Sequence, residues 1–261
     1  MTVLDPRQKA EGILLLFRDR KETSVLPPEL YPADLDEAYR IRALFQELEE
    51  KSGRGRIAGY KIALTTPVMQ KLLGITEPCY GAIFESEVHH GKAVLHARDY
   101  CRLGVETEIA LVLGADLAHG GARAFLADAV ESAAAAIELI EDLRYDYGRL
   151  DAPAIVAGNA WNRGVVIGKP VLSWRELDLA KVEGKLLIDG KEVGAGFGEA
   201  VMGHPLNALS WLADKLAQEG RPLRQGMVVM TGSIVAIRYP AAGARVEVAI
   251  SGLGTAELTF D

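Results

Sequence analysis

The sequence predicts an α+β protein, with a mixed β architecture, helices packed outside it and an N-terminal helical part. Its 261 residues are 49% hydrophobic and 25% charged, which is typical of a globular chain with a large buried core. Apolar residues follow a helical spacing before residue 53 and form short β-prone runs after residue 57. Because these runs show no regular β-α-β alternation, a doubly wound parallel sheet is disfavoured.

The first part of the chain predicts two helices. Asp5-Pro6 begins the first, and Asp34 or Asp36 can cap the second. The charged, glycine-containing stretch that follows predicts a hinge. We therefore divide the chain into an N-terminal helical subdomain, 1–52, and a β domain, 53–261.

Eight β-prone segments separated by turn residues follow the hinge. They lie at 57–64, 80–84, 105–113, 165–167, 182–188, 227–237, 246–250 and 255–260. Asp189-Gly190 between two such runs predicts a type I′ hairpin, since that turn needs positive φ at both central positions. A helix is predicted from His204-Pro205 to Gly220, and a second around 123–135.

Charge and cysteine content exclude several classes of protein. Lys and Arg number 29 against 36 Asp and Glu, so nucleic acid is not expected as a partner. The apolar run near the start, 13–17, is far shorter than the ~20 residues that span a bilayer, so no membrane association is expected. That run is flanked by charge and no small-residue cleavage site follows it, so a cytoplasmic protein is expected. Cys79 and Cys101 have neither zinc nor disulfide spacing, which predicts two reduced thiols.

Glu106 and Glu108 are the first candidates for a chemical role. Residues two apart on a strand project from the same face, and this strand is otherwise apolar. Two buried carboxylates repel each other and resist desolvation unless protons or a cation compensate them. Mg²⁺ is a natural compensator because it prefers oxygen ligands. The alternative is a solvent-facing pair on a half-buried strand.

Glu138 and Lys61 are isolated charges in apolar surroundings. Glu138 lies among alanines and isoleucines and needs a partner, either as a third metal carboxylate or in an ion pair with an arginine. Lys61 lies in an apolar β segment, where it could bind a substrate carboxylate or, with a lowered pKa, move a proton. The alternative for Lys61 is a side chain that reaches solvent from the strand end.

Seven motifs in order carry a family resemblance. They are Gly59-Tyr60-Lys61-Ile62, Glu77-Pro78-Cys79-Tyr80-Gly81, Glu106-Thr107-Glu108, Val156-Ala157-Gly158-Asn159-Ala160, Val201-Met202-Gly203-His204-Pro205-Leu206-Asn207-Ala208, Thr231-Gly232-Ser233 and Gly252-Leu253-Gly254. Together they resemble the 2-keto-4-pentenoate hydratase and 4-oxalocrotonate decarboxylase group of the fumarylacetoacetate hydrolase superfamily. The match covers nearly the whole chain.

The resemblance implies a fold, a metal and an assembly. The fold is a fumarylacetoacetate-hydrolase-like mixed β-roll or distorted barrel with peripheral helices, and 53–261 would be its catalytic domain. The metal is Mg²⁺ or Mn²⁺, held by Glu106, Glu108 and Glu138. Lys61 would lie near the substrate carboxylate, and the protein would form homo-oligomers built from dimers.

Two positions depart from the pattern of the family. Cys79 stands where the family usually has an aspartate implicated in proton transfer. We therefore assign Cys79, together with Lys61, as a candidate catalytic residue. Gly158-Asn159-Ala160-Trp161 stands where Asp-Asn-Ala-Ser is common, which replaces a hydroxyl by a large aromatic ring. Asn159, Trp161 and Thr231 are assigned to substrate binding.

The implied activity is the metal-dependent hydration of a 2-hydroxy-2,4-dienoate, of the 2-oxo-4-pentenoate type, to a 4-hydroxy-2-oxo acid. The alternative is decarboxylation of a 2-oxo-enedioate such as 4-oxalocrotonate, because the same metal site would stabilise the dienolate. A third possibility is a non-catalytic scaffold subunit that binds 2-oxo acids, which the changes at Cys79 and Trp161 keep open.

Overall fold

Two β-sheets that pack against each other form the body of the protein, in a computed structural model that describes residues 4–261. The strands are β1 Ile57–Ala63, β2 Cys79–Phe84, β3 Val88–His90, β4 Lys92–Leu95, β5 Leu103–Leu113, β6 Val130–Glu141, β7 Asn162–Ile167, β8 Glu183–Ile188, β9 Lys191–Phe197, β10 Val228–Arg238, β11 Ala244–Ile250 and β12 Gly254–Phe260. The helices are α1 Pro6–Arg18, α2 Leu35–Glu49, α3 Pro67–Leu72, α4 Arg123–Ala129, α5 Ala152–Ala157 and α6 Pro205–Gln218. The predicted α+β class, with a mixed β-roll and peripheral helices, is confirmed.

The larger sheet has seven strands in the order β2-β1-β10-β5-β6-β7-β3. The pairing of β1 with β10 is parallel, and β10, β5 and β6 then pair antiparallel. The sheet curls enough for β2 to contact β7, although the two strands are not adjacent in the sheet. Its concave face therefore brings together side chains from β1, β5 and β6.

The smaller sheet has five strands in the order β4-β12-β11-β8-β9. Its β11 and β12 pack on β6 of the larger sheet, and β8 and β9 are joined by the predicted hairpin. Asp189 and Gly190 have φ values of 52° and 77°, as the type I′ turn requires. The main hydrophobic core lies between the sheets and continues under α6.

Helix boundaries follow the predicted caps. Asp5 and Asp34 accept hydrogen bonds from the first turns of α1 and α2, and His204 does so for α6. The predicted helix around 123–135 is wrong beyond Ala129, because the chain continues as strand β6. Its alanines favour a helix locally, but β6 lies between β5 and β7 and is buried on both faces, so sheet packing outweighs propensity.

The N-terminal helices share a hydrophobic core with later parts of the chain. Apolar residues of α1 and α2 cluster with α5 and with Trp161. Arg42 of α2 is fully buried; its guanidinium lies 3.8 Å from the ring centre of Tyr80 and 2.9 Å from a carboxylate oxygen of Glu219. The division at residue 53 stays a prediction, and residues 1–3 of the first part lie outside the described chain.

Four short elements have no counterpart in the predictions: β3, β4, α3 and α5. Each has only three to six residues, too few for a period to be recognised. Within residues 4–261, no helix combines the length and the apolar character needed to cross a bilayer.

Candidate active site

Glu106, Glu108 and Glu138 converge on the concave face of the larger sheet. The register of β5 and β6 places Glu106 directly opposite Glu138, and Glu108 follows Glu106 by two residues on the same face. One carboxylate oxygen from each residue lies within 4.8 Å of the others. Glu108 and Glu138 are buried, while Glu106 is partly exposed.

Lys61 is the cation that opposes these three acids. Its Nζ lies 2.9 Å from Oε1 of Glu138, although β10 and β5 separate their strands in the ladder. The curl of the sheet makes this contact possible. Asn162 of β7 also donates to Oε1 of Glu138, at 3.0 Å.

Burial and mutual repulsion set the charge of this cluster. Loss of hydration raises the pKa of Glu106 to about 7, with Glu138 adding to the effect and Lys61 opposing it. Burial and the charges of Glu138 and Glu106 hold the pKa of Glu108 well above its usual range. Burial alone would lower the pKa of Lys61, but the carboxylates, Glu138 foremost, outweigh it and the pKa is raised. The three carboxylates therefore hold Lys61 in its charged form.

The carboxylate cluster fits a divalent cation. One Lys cannot neutralise three carboxylates, and leaving buried charges uncompensated is costly. Oε1 of Glu108 and Oε2 of Glu138 are buried without a hydrogen-bond partner among the described residues. The other Glu108 oxygen accepts from the N–H of Gly232 at 2.9 Å, which fixes the carboxylate. Free, oriented oxygen ligands of this kind suit a hard cation.

Metal binding is expected to stabilise the protein more at high pH. When the pKa of a carboxyl group rises on folding, the folded protein loses stability as the pH increases from the ordinary pKa of the group to its raised pKa. For Glu106 this range runs from pH 4.5 to about pH 7. A cation reverses this loss, but at pH 6 it must first displace protons. We therefore expect Mg²⁺ to raise the Tm more at pH 8 than at pH 6, as measured by calorimetry. Equal shifts at both pH values would contradict the raised pKa values.

A cavity of about 420 Å³ opens from the charged cluster. Lys61 and Glu106 border one end of it, and most of the remaining wall is apolar. This wall is formed by α3, by β10 and by the segment between β6 and β7. The site therefore combines a charged closed end with an apolar chamber, which is the usual form of a small-molecule site.

Trp161 forms part of the cavity wall, and its role in substrate binding stays a prediction. Its ring stacks on Tyr145, with 4.7 Å between ring centres and 6° between planes. The backbone of residues 159–161 is left-handed, with φ of 57°, 49° and 59°. Because non-glycine residues seldom adopt this conformation, surrounding contacts must hold the turn.

Asn159 supplies those contacts. Its Oδ1 accepts hydrogen bonds from Gln46 and from the N–H of Ala82, at 2.9 and 2.8 Å, and its Nδ2 donates to the carbonyl of Ala82 at 2.9 Å. The side chain is buried and does not border the cavity. Its observed contacts position the turn that carries Trp161, and direct binding of substrate stays a prediction.

Replacing Asn159 by alanine is expected to lower the free energy of unfolding by about 2–4 kcal/mol, since buried groups on Ala82 and Gln46 lose their partners. Urea denaturation measures this change. Asn159→Asp is the matched variant: it keeps the acceptor but places an oxygen against the Ala82 carbonyl, so it should also destabilise. A wild-type midpoint for both variants would argue against the positioning role.

Cys79 and Thr231 lie outside the cavity wall. Cys79 is buried in the hydrophobic cluster of the N-terminal helices, and burial raises the pKa of its thiol to about 11. A thiol with this pKa stays protonated at neutral pH and is no base, so a catalytic role for Cys79 stays a prediction. Thr231 donates its hydroxyl hydrogen to the carbonyl of Ile109 at 3.0 Å, and Ser233 borders the cavity instead.

Several residues at the site were not predicted as functional. Asn162 and Gly232 bond to the acidic cluster, and Thr65 borders the cavity. Gly232 has a φ of 117°, and a Cβ there would lie 2.5 Å from the Thr65 side chain, so only glycine fits. The Thr231-Gly232-Ser233 motif contained this signal, but nothing in the sequence distinguished Asn162 or Thr65.

Comparisons with known proteins agree with this architecture. Residues 62–261 match the model of the fumarylacetoacetate (FAA) hydrolase C-terminal family. The chain is 36% identical over 224 residues to a 2-keto-4-pentenoate hydratase of Burkholderia vietnamiensis (strain G4 / LMG 22486), covering 85% of each chain. It is 34% identical over 229 residues to a 2-hydroxyhexa-2,4-dienoate hydratase of Comamonas testosteroni, covering 87% of this chain and 86% of the relative.

A solved structure resembles the whole chain. The 4-oxalocrotonate decarboxylase of Pseudomonas putida G7, complexed with magnesium and adipate, superposes with a TM-score of 0.89 at 26% identity, covering 100% of this chain and 99% of that one. The family model covers well over half of the described residues, and both of the relatives named above exceed 30% identity. The resemblance drawn from the seven motifs is confirmed, and the chain belongs to the fumarylacetoacetate hydrolase family.

Proposed function

We propose that the protein is a metal-dependent hydratase that adds water to a 2-hydroxy-2,4-dienoate and gives a 4-hydroxy-2-oxo acid. The observation that carries the proposal is the cluster of three carboxylates and Lys61 at the closed end of an apolar cavity. This arrangement suits a small acid with an apolar conjugated chain. The relatives from Burkholderia vietnamiensis and Comamonas testosteroni, both hydratases, support it.

Glu106, Glu108 and Glu138 would hold a divalent cation, which we propose to be Mg²⁺ or Mn²⁺. The magnesium bound to the Pseudomonas putida decarboxylase supports the choice of a hard cation. Lewis-acid polarisation of the C2 oxygen is the chemistry that such a cation supplies when bound. The three carboxylates would also fix where the acid end of the substrate sits.

The other groups of the site would bind and orient the substrate. The charged Nζ of Lys61 would attract the C1 carboxylate, and the apolar wall would align the diene and exclude bulk water. Glu106 is the only carboxylate in the described cavity wall. Since a cation needs only one of its oxygens, the second oxygen of Glu106 could hold or move a proton at the dienoate chain.

Decarboxylation of a 2-oxo-enedioate is the second candidate, because the Pseudomonas putida decarboxylase matches the chain over its full length. Both reactions need a dienolate to be stabilised, so one charged cluster could serve either. We also propose that the protein is cytoplasmic and that it forms homo-oligomers built from dimers.

The test follows the ultraviolet absorbance of 2-hydroxypenta-2,4-dienoate with purified protein and Mg²⁺, with product identification by NMR. We expect loss of the diene absorbance and formation of 4-hydroxy-2-oxopentanoate, abolished by EDTA and restored by Mg²⁺. Release of carbon dioxide from 2-oxohex-3-enedioate, without hydration of any dienoate, would instead establish the decarboxylase. No turnover of either substrate would leave a binding or scaffold subunit.

A further inference from the structure

The apolar chamber is larger than the smallest substrate of the proposed reaction. A five-carbon hydroxydienoate has about eight non-hydrogen atoms, and even at the ~30 Å³ that a water molecule occupies in the liquid they fill little more than half of the 420 Å³ cavity. The remaining space lies beyond the charged end. A longer acid would therefore fit without a change in the wall.

The chamber offers one cation and no second one. Among residues 4–261, Lys61 is the only Lys, Arg or His that borders the cavity, and it is paired with Glu138. A carboxylate at the far end of a substrate would therefore meet no second cation among these wall residues. Burying an unpaired charge is far more costly than burying a methylene group is favourable.

Two hydroxyl groups on the chamber wall away from the charged cluster are already bonded within the protein, whereas Nε1 of Trp161 is buried without a hydrogen-bond partner among the described residues. The hydroxyl of Tyr147 donates to Asp142 at 3.0 Å and lies 2.5 Å from the Tyr239 hydroxyl. Ser233 donates its hydroxyl hydrogen to the carbonyl of Val235 at 2.6 Å. Arg102 is the nearest cation to this network and binds Asp142, so it is not free for a ligand.

The chamber wall is also preorganised. Trp161 is held by its stack on Tyr145 and by the edge of Tyr147, whose ring centre lies 6.2 Å away. Leu150 follows on the same segment, and Met69 of α3 borders the chamber as well. Apolar side chains held in this way bind apolar chains without first being ordered themselves.

We propose that this site selects acids with one carboxylate and an apolar tail longer than five carbons, and that Trp161, Leu150 and Met69 form the surface that contacts the tail. The inference rests on the proposed function for the identity of the acid end. It specifies that the other end of the ligand is an uncharged, apolar tail. Dienedioates, which carry a second carboxylate, are therefore expected to bind weakly.

The test measures binding, which does not depend on turnover. The Mg²⁺-loaded protein is titrated by calorimetry with 2-oxopentanoate, 2-oxohexanoate, 2-oxooctanoate and 2-oxohexanedioate. Burial of methylene groups should tighten binding by up to about fourfold for each one, so we expect the Kd of 2-oxooctanoate to be at least tenfold below that of 2-oxopentanoate. The dioate should bind at least tenfold more weakly than 2-oxohexanoate.

Three variants, one of them a control, locate the effect. Leu150→Lys supplies a second cation, so it should weaken binding of 2-oxooctanoate and tighten binding of 2-oxohexanedioate. Leu172→Lys makes the same change at an exposed leucine outside the cavity and should alter neither Kd. Trp161→Ala should reduce the gain per methylene.

The outcomes separate this inference from the proposed function. A Kd that is independent of chain length, or a dioate that binds as well as the monoacid, would overturn the tail selectivity even if dienoates are hydrated. The expected order of Kd values without hydration of any dienoate would uphold the selectivity and overturn the hydratase. Failure of all four acids to bind would also overturn the selectivity.

Discussion

Glu108→Gln is expected to reduce metal-dependent turnover on the order of 10³-fold, because it removes a carboxylate that we propose as a metal ligand and whose unbonded oxygen lies in the acidic cluster. The amide keeps the size of the side chain and can still accept from Gly232. It also removes one buried charge. The metal-free variant should therefore be at least as stable as the metal-free wild type.

Two measurements separate loss of the ligand from loss of the fold. The Tm of the variant should match or exceed that of the wild type without metal, and Mg²⁺ should no longer raise it. Glu131→Gln is the matched control, since Glu131 is an exposed carboxylate on β6, the strand of Glu138. Turnover of the Glu108 variant within a few-fold of wild type would remove Glu108 from the metal site.

Lys61→Met is expected to lower kcat/KM on the order of 10³-fold. The change keeps an unbranched apolar chain but removes the cation that pairs with Glu138 and the charge that we propose binds the substrate carboxylate. Removing one partner of a buried ion pair costs about 3–5 kcal/mol, so the metal-free variant should be markedly less stable. A bound divalent cation should recover much of that loss.

The affinity for Mg²⁺ distinguishes a substrate-binding role of Lys61 from a structural one. Without the competing ammonium group, the three carboxylates should bind Mg²⁺ at least as tightly as in the wild type, while the KM for the acid rises. Lys185→Met is the control, because Lys185 is a strand lysine paired with Glu192 at the surface. An unchanged kcat/KM in the Lys61 variant would reduce Lys61 to a structural partner of Glu138.

Parts of the fold and of the site could be predicted because they depend on local geometry. The two-residue period of a strand places Glu106 and Glu108 on one face whatever the rest of the chain does. The Asp189-Gly190 turn and the caps of α1, α2 and α6 are local in the same way. Their signals lie within a few residues, so the structure confirmed them.

Other parts depend on contacts that the sequence does not express. The salt bridge between Lys61 and Glu138 requires the curl of a sheet in which two strands separate them. The alanines of β6 carry a helical preference that only burial between two strands overrides. Residues of α3 and Tyr147 form part of the cavity wall, but no motif in the sequence marked them as functional. Asn159 belongs to a family motif, but its observed hydrogen bonds are with Gln46 and Ala82.

The parallel pairing of β1 with β10 has a consequence for the order of folding. Lys61 lies opposite Gly81 of β2 and Met230 of β10, so its pairing in the sheet is complete only after the last quarter of the chain has joined the sheet. Contacts so distant in sequence form late, because a long loop must close before they contribute any stability. Until then β5 and β6 can pair as a hairpin, with Glu106 and Glu138 in contact with solvent water. The buried cluster of acids is therefore expected to assemble in the final steps of folding, and recovery of the divalent-cation binding that we propose should report completion of the larger sheet during refolding.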